Sequence, residues 1–125
     1  MATVQLTKEN LDKVLSSNDM VLIDFWASWC GPCQVFGPIF EAGSERHPDI
    51  VFAKVDTEAQ QELARSFGIR SIPMLMIFRE QVVVYAQPGA VPGEALEELV
   101  DRALNLDMDE EHRQVEAHLA TQGAS

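Results

Sequence analysis

The chain has 125 residues, about the size of one domain, and its 46% hydrophobic and 23% charged composition excludes a wholly disordered protein. Nine lysines and arginines stand against twenty aspartates and glutamates, a formal charge of −11, which argues against a phosphate-neutralising nucleic-acid groove and against adsorption to anionic membranes. From Glu94 onward nine acids face only Arg102 and Arg113, a pattern expected of a solvated acidic face.

The first ten residues lack both a basic start and an apolar core, so no secretion signal is expected there. Thr7 to Asn10 offers a side-chain cap, and Leu11, Val14 and Leu15 recur at helical spacing, so a first helix should end near Ser16. Met20 to Trp26 is apolar except for Asp24 and reads as a strand buried on both faces; it is far too short to span a bilayer. These features lead us to expect a cytoplasmic protein. After Pro32 a helix is expected, with Val35, Phe36, Ile39, Phe40 and Ala42 apolar and Pro38 placed to kink it. Ile50 to Val55 is a second strand.

Thr57 with Gln60 fits a capping box before a helix that carries Leu63, Ala64 and Phe67 on one face and stops at Gly68. Met74 to Phe78 and Val82 to Tyr85 are strands close enough for an antiparallel hairpin across Arg79-Glu80-Gln81. Pro92-Gly93 opens a helix with Leu96, Leu99, Val100 and Ala103 inward. This order predicts an α/β fold with a central mixed β-sheet flanked by helices on both faces. The last residues, 105–125, form an acidic C-terminal extension. There Asp107 and Glu110 offer a cap, Met108, His112, Val115 and Leu119 a weak stripe, and Arg113 and Glu116 an ion pair; a docked helix and a frayed tail are both open.

The only cysteines are Cys30 and Cys33, flanking Gly31 and Pro32. Residues three apart at a helix start lie at disulfide distance, yet closing so short a loop constrains the unfolded chain by only about 2 kcal/mol. The pair is therefore better suited to opening and closing than to stapling. With a strand before it and a helix after it, Cys30 would sit at a helix N-terminus, where the dipole favours thiolate and Pro32 costs no hydrogen bond. Cys30 is then the attacking thiolate and Cys33 the resolving thiol. A zinc site using His112 and His118 fits poorly, because those residues are six apart and far from the cysteines in sequence. Inert core cysteines are the other alternative. Asp24, a carboxylate inside an apolar strand, should have a raised pKa and could exchange the Cys33 proton, with Lys54 on a neighbouring strand as its partner. The alternative places Asp24 facing solvent. His47 has no assigned role.

The segment Asp24 to Cys33, with Phe67 to Pro73, Pro38, Lys54 and Gly89, resembles the active-site signatures of the thioredoxin family over roughly Val4 to Leu104. The resemblance implies a thioredoxin fold over residues 1–104 and a thiol–disulfide oxidoreductase that reduces protein disulfides. It implies a cis peptide bond before Pro73 and a docking surface of Trp29, Gly31, Pro32, Gly68, Ile72, Pro73, Met74 and Gly89, with the Ile72 backbone pairing to the substrate chain. It further implies a protein that acts on disulfide-containing protein substrates, takes electrons from a thioredoxin reductase and needs no cofactor beyond its own redox-active disulfide. No large apolar stripe remains to demand a dimer, so a monomer is expected. An oxidase or isomerase of the same fold, or a non-catalytic binding module, are the rival readings. The sequence departs from the pattern at Gln34, where Lys is common, at Met74, where Thr is usual, and at Gln81, where the hairpin usually has Gly.

Overall fold

A computed structural model describes residues 2–123. Five strands, β1 (Val4–Gln5), β2 (Met20–Trp26), β3 (Val51–Asp56), β4 (Met74–Arg79) and β5 (Val82–Pro88), form one sheet in the order β1-β3-β2-β4-β5. β1 and β2 run parallel to β3, whereas β4 is antiparallel to both β2 and β5, so the sheet is mixed as expected. The helices are α1 (Leu11–Ser17), α2 (Gly31–Arg46), α3 (Gln61–Ser66), α4 (Gly93–Leu104) and α5 (Met108–Gly123).

Alternation along β2 feeds two cores. Met20 and Leu22 join Phe36 and Phe40 of α2, Phe52 of β3, and Leu96 and Val100 of α4 on one face. Val21, Ile23 and Phe25 join Ala53, Val55 and Leu63 on the other, beneath Leu11 and Val14 of α1. Each layer carries an aromatic spine. Phe40 stands 5.8 Å from Phe36 and 5.1 Å from Phe52, and Phe67 packs edge-on to Phe25 and Phe78. Fully burying each such ring contributes about 1.5–3 kcal/mol, so these two layers hold β2 centrally and rigidly.

Local details differ from expectation in four places. β1 went unanticipated, because its two residues are exposed and carry no burial pattern. The expected cap over Thr7 to Asn10 forms, but one turn ahead of α1: Asn10 Oδ1 accepts the Thr7 N–H at 2.7 Å and Thr7 Oγ1 accepts the Asn10 N–H at 3.3 Å, while Asn10, the residue before the helix, makes no cap bond to it. The capping box at Thr57 does not form. Thr57 Oγ1 donates to the Trp26 carbonyl at 3.0 Å, and Asp56 Oδ1 accepts the Glu58 and Ala59 amides, because the chain needs those groups to turn before α3 begins at Gln61. Arg113 reaches back to Glu110 at 2.5 Å and not forward to Glu116.

The extension forms the helix α5. Asp107 Oδ1 accepts the Glu110 amide at 3.2 Å, as its sequence suggested, and Met108 is buried. Arg79 ties this end together: its guanidinium donates to the Ala103 and Leu104 carbonyls, satisfying the C-terminus of α4, and pairs with Asp19. His112 Nε2 lies 3.0 Å from Glu80 Oε1. α5 is thus seated at the hairpin end of β4, the end opposite Pro73.

Glu80 and Gln81 both have positive φ, 50° and 66°, which defines a two-residue hairpin turn in a conformation that L side chains resist. Gln81→Gly is expected to stabilise the fold by about 0.5–1 kcal/mol, the relief exceeding the added freedom of the unfolded chain. Urea unfolding measures this, and an unchanged or lowered midpoint would contradict it.

Candidate active site

The site is built where β2 ends and α2 begins. Buried β2 delivers the chain to Ala27, whose carbonyl accepts the Cys30 N–H at 3.2 Å, closing a turn that presents Ser28 and Trp29 to solvent. Cys30 is the N-cap of α2: it is extended at φ −90° and ψ 114°, and its Sγ accepts the Cys33 amide at 3.2 Å. The sulfur therefore faces unsatisfied amides at the positive end of a 16-residue helix, the environment that favours a thiolate. Pro32 occupies the first turn, where its missing donor costs nothing.

Cys30 and Cys33 stand at disulfide distance with Cα atoms 5.2 Å apart, and both are 5% exposed. The Ile72–Pro73 bond is cis, and the Ile72 carbonyl lies 3.7 Å from Cys30 Sγ. Ile72 and Trp26 pack with Ala27 and the cysteines into one small cluster. Pro73 is buried, and its carbonyl accepts the Gly89 amide at 2.8 Å, which brings the Gly89 loop to the same end of the sheet. Met74 pairs with Pro88 and is half-buried. Gly31, Pro32 and Gly68 are exposed, and Trp29 is 70% exposed, a large apolar side chain left beside a reactive sulfur.

Asp24 is fully buried, on the sheet face that carries α2, which overturns the solvent-facing alternative. It stands directly opposite Lys54 in the parallel register, yet neither carboxylate oxygen has a hydrogen-bond partner. Burial pushes its pKa up to about 7, and the Lys54 charge offsets only part of that. Lys54 is half-buried, with Nζ 5.3 Å from the centroid of the Trp26 ring, which holds the ammonium by its π-face rather than by an ion pair. A cleft of about 450 Å³ reaches from solvent along α2 and is lined by Trp26, Cys33, Gly37, Lys54, Glu41 and Thr3.

Sequence reasoning missed several of these groups. Thr3 Oγ1 donates to Glu41 Oε1 across the mouth of the cleft, and no local motif marks either residue. Gln34, noted only for the charge it lacks, donates from Nε2 to the Ser28 carbonyl at 3.0 Å and so ties the active-site turn to the helix. The zinc alternative requires His112 beside the dithiol, but His112 contacts Glu80, one full strand away. Among the described residues, no group of three His, Cys, Asp or Glu side chains could hold a metal ion. No helix among them is long and apolar enough to cross a membrane.

The model of the family described as Thioredoxin matches residues 2–102. The chain is 58% identical over 122 residues to "Putative thioredoxin 2" of Streptomyces coelicolor, an alignment that covers 98% of this chain and 91% of that one. It is 42% identical over 109 residues to the thioredoxin of Mycobacterium tuberculosis, covering 85% and 94%. Among solved structures, a mutant thioredoxin from Halobacterium salinarum NRC-1 superposes with a TM-score of 0.77 at 36% identity, covering 83% of this chain and 92% of that one.

Proposed function

The chain belongs to the thioredoxin family and is a thiol–disulfide oxidoreductase of the protein-disulfide reductase class, and from that premise we propose how its residues divide the work. Cys30 thiolate attacks one sulfur of a substrate disulfide. A Cys30–substrate disulfide forms, the substrate S–S bond breaks, and the first substrate sulfur leaves with the electron pair. Cys33 then loses its proton to the Asp24 carboxylate and attacks Cys30 Sγ, which releases the second substrate sulfur. The substrate gains two electrons and the enzyme is left as its Cys30–Cys33 disulfide. The observation that carries this assignment is the N-cap position of Cys30, whose sulfur accepts the Cys33 amide beside the Ile72 carbonyl.

Asp24 suits the proton transfer because burial brings its pKa to about 7, where the carboxyl both accepts and returns a proton at neutral pH. Lys54 supplies the positive charge that keeps part of it ionised. The substrate chain lies against Ile72, Pro73 and Met74, with Trp29, Gly31, Pro32, Gly68 and Gly89 around it. Thioredoxins in general reduce disulfide substrates and are recharged by a thioredoxin reductase. We assign this chain the same donor, a cytoplasmic setting, a monomeric state and no cofactor beyond the dithiol.

Turnover tests this reading. With NADPH and a thioredoxin reductase, the protein is expected to reduce a disulfide-bonded protein catalytically, with NADPH consumed in step with thiols formed. Failure to accept electrons from any thioredoxin reductase would remove that donor.

A further inference from the structure

A second concavity, of about 340 Å³, lies on the α3 side of the dithiol. Trp29, Ile69 and Ile72 give it an apolar wall, and Arg65 and Arg70 a cationic one. Both arginines are exposed. Lys8, Arg46, Arg79 and Arg113 are engaged in ion pairs, but among the described residues neither Arg65 nor Arg70 is. The acids of the neighbouring turn are already committed. Glu62 holds Lys8 Nζ at 2.6 Å, Asp56 accepts two backbone amides, and Glu58 accepts the Ser28 hydroxyl. In a chain with a formal charge of −11, two guanidiniums outside any ion pair, Arg65 sharing only the field of Glu62 one turn away, therefore stand at the lip of a groove whose wall includes Ile72, the residue whose carbonyl lies 3.7 Å from the Cys30 sulfur.

We propose that this groove is a specificity subsite that favours protein substrates carrying an aspartate or glutamate a few residues from the attacked cysteine. The inference rests on the reductase reading and adds its substrate preference. An extended segment crossing Ile72 lays its apolar atoms on Trp29 and Ile69, while a carboxylate beside them meets the planar forks of Arg65 and Arg70, which match it bidentately. The net negative charge of the whole protein repels acidic partners at long range, so the preference is local to the flank of the cysteine and does not follow a partner's total charge.

The test uses two peptides of identical composition, each disulfide-linked to the same small thiol. One has Glu near the cysteine and Lys at the far end; the other has them exchanged. At low ionic strength the wild-type protein is expected to reduce the Glu-proximal peptide with a kcat/KM about tenfold higher, and the ratio should shrink as salt screens the contact. The double variant Arg65→Gln, Arg70→Gln is expected to bring the ratio to within about twofold of unity. Arg102→Gln, which removes a positive charge on α4, should leave it intact. Equal reduction of both peptides by the wild-type protein overturns the subsite and leaves the reductase standing. So does a preference that survives the double variant, or one that Arg102→Gln abolishes equally. Reduction of neither peptide counts against the reductase reading itself, and the subsite falls with it.

Discussion

Asp24→Asn is expected to stabilise the protein by about 2–4 kcal/mol at pH 8, and by less than about 1 kcal/mol at pH 4. The carboxyl titrates near 7 in the fold against an ordinary value of 3.8, because burial disfavours its charged form more than Lys54 favours it. Between those two values the native state binds the proton that the unfolded chain has released, so wild-type stability falls as pH rises through this window. It levels off above 7, with roughly 4 kcal/mol lost. Asn carries no charge to desolvate, so its advantage grows over the same window and stays small below it. Both side chains bury polar atoms without partners, so that cost largely cancels in the comparison. Urea unfolding at several pH values measures the difference. A gain independent of pH, or a loss at pH 8, would contradict the burial argument.

The same substitution separates stability from catalysis. If Asp24 takes the Cys33 proton, Asp24→Asn should slow resolution of the mixed disulfide about 10- to 100-fold at pH 7 and remove the rise in rate through that pH. A burial so costly to stability is then explained by the reaction rather than by the fold.

Cys30→Ser is expected to lower disulfide reduction by more than about a thousandfold, whereas Cys33→Ser should still attack but fail to release. The two variants differ because the sulfurs differ in position. Cys30 caps α2 next to the Ile72 carbonyl, while Cys33 sits in the first turn of the helix and donates its amide to Cys30. Mass spectrometry of Cys33→Ser incubated with a disulfide substrate should find a one-to-one covalent adduct on Cys30 that dithiothreitol reverses. Sustained turnover by Cys33→Ser, or an adduct formed by Cys30→Ser instead, would reverse the assigned roles. Full partner function retained by Cys30→Ser would favour a binding module over a reductase.

The parts of this molecule that burial writes into the chain were legible from sequence. Met20 to Trp26 announces a strand covered on both sides, the alternation of Leu22 and Ile23 feeds two cores, and Asp107 three residues before Glu110 caps α5 as expected. The dithiol was legible because its chemistry follows from local order: strand, cysteine, helix start. Contacts that cross the fold were not. β1 depends on the edge of β3 and not on its own residues. Thr57 is drawn from its expected cap to the Trp26 carbonyl, a partner 31 positions away. The Thr3–Glu41 contact and the grouping of Arg65 and Arg70 with Trp29 arise only when distant segments meet. Gln34 shows the limit most directly. Its missing charge was visible in sequence, but its hydrogen bond to Ser28 needed the turn geometry.

The measurement that tests the account most directly is the reduction potential of the Cys30–Cys33 pair, by equilibration against dithiothreitol and glutathione buffers. The thioredoxin value of about −270 mV is a family figure carried over to this chain, and a result near it is what a reductase working in a reducing compartment requires. A potential above about −200 mV would place the pair among oxidants and isomerases, and would contradict both the direction of electron flow and the cytoplasmic setting proposed for it.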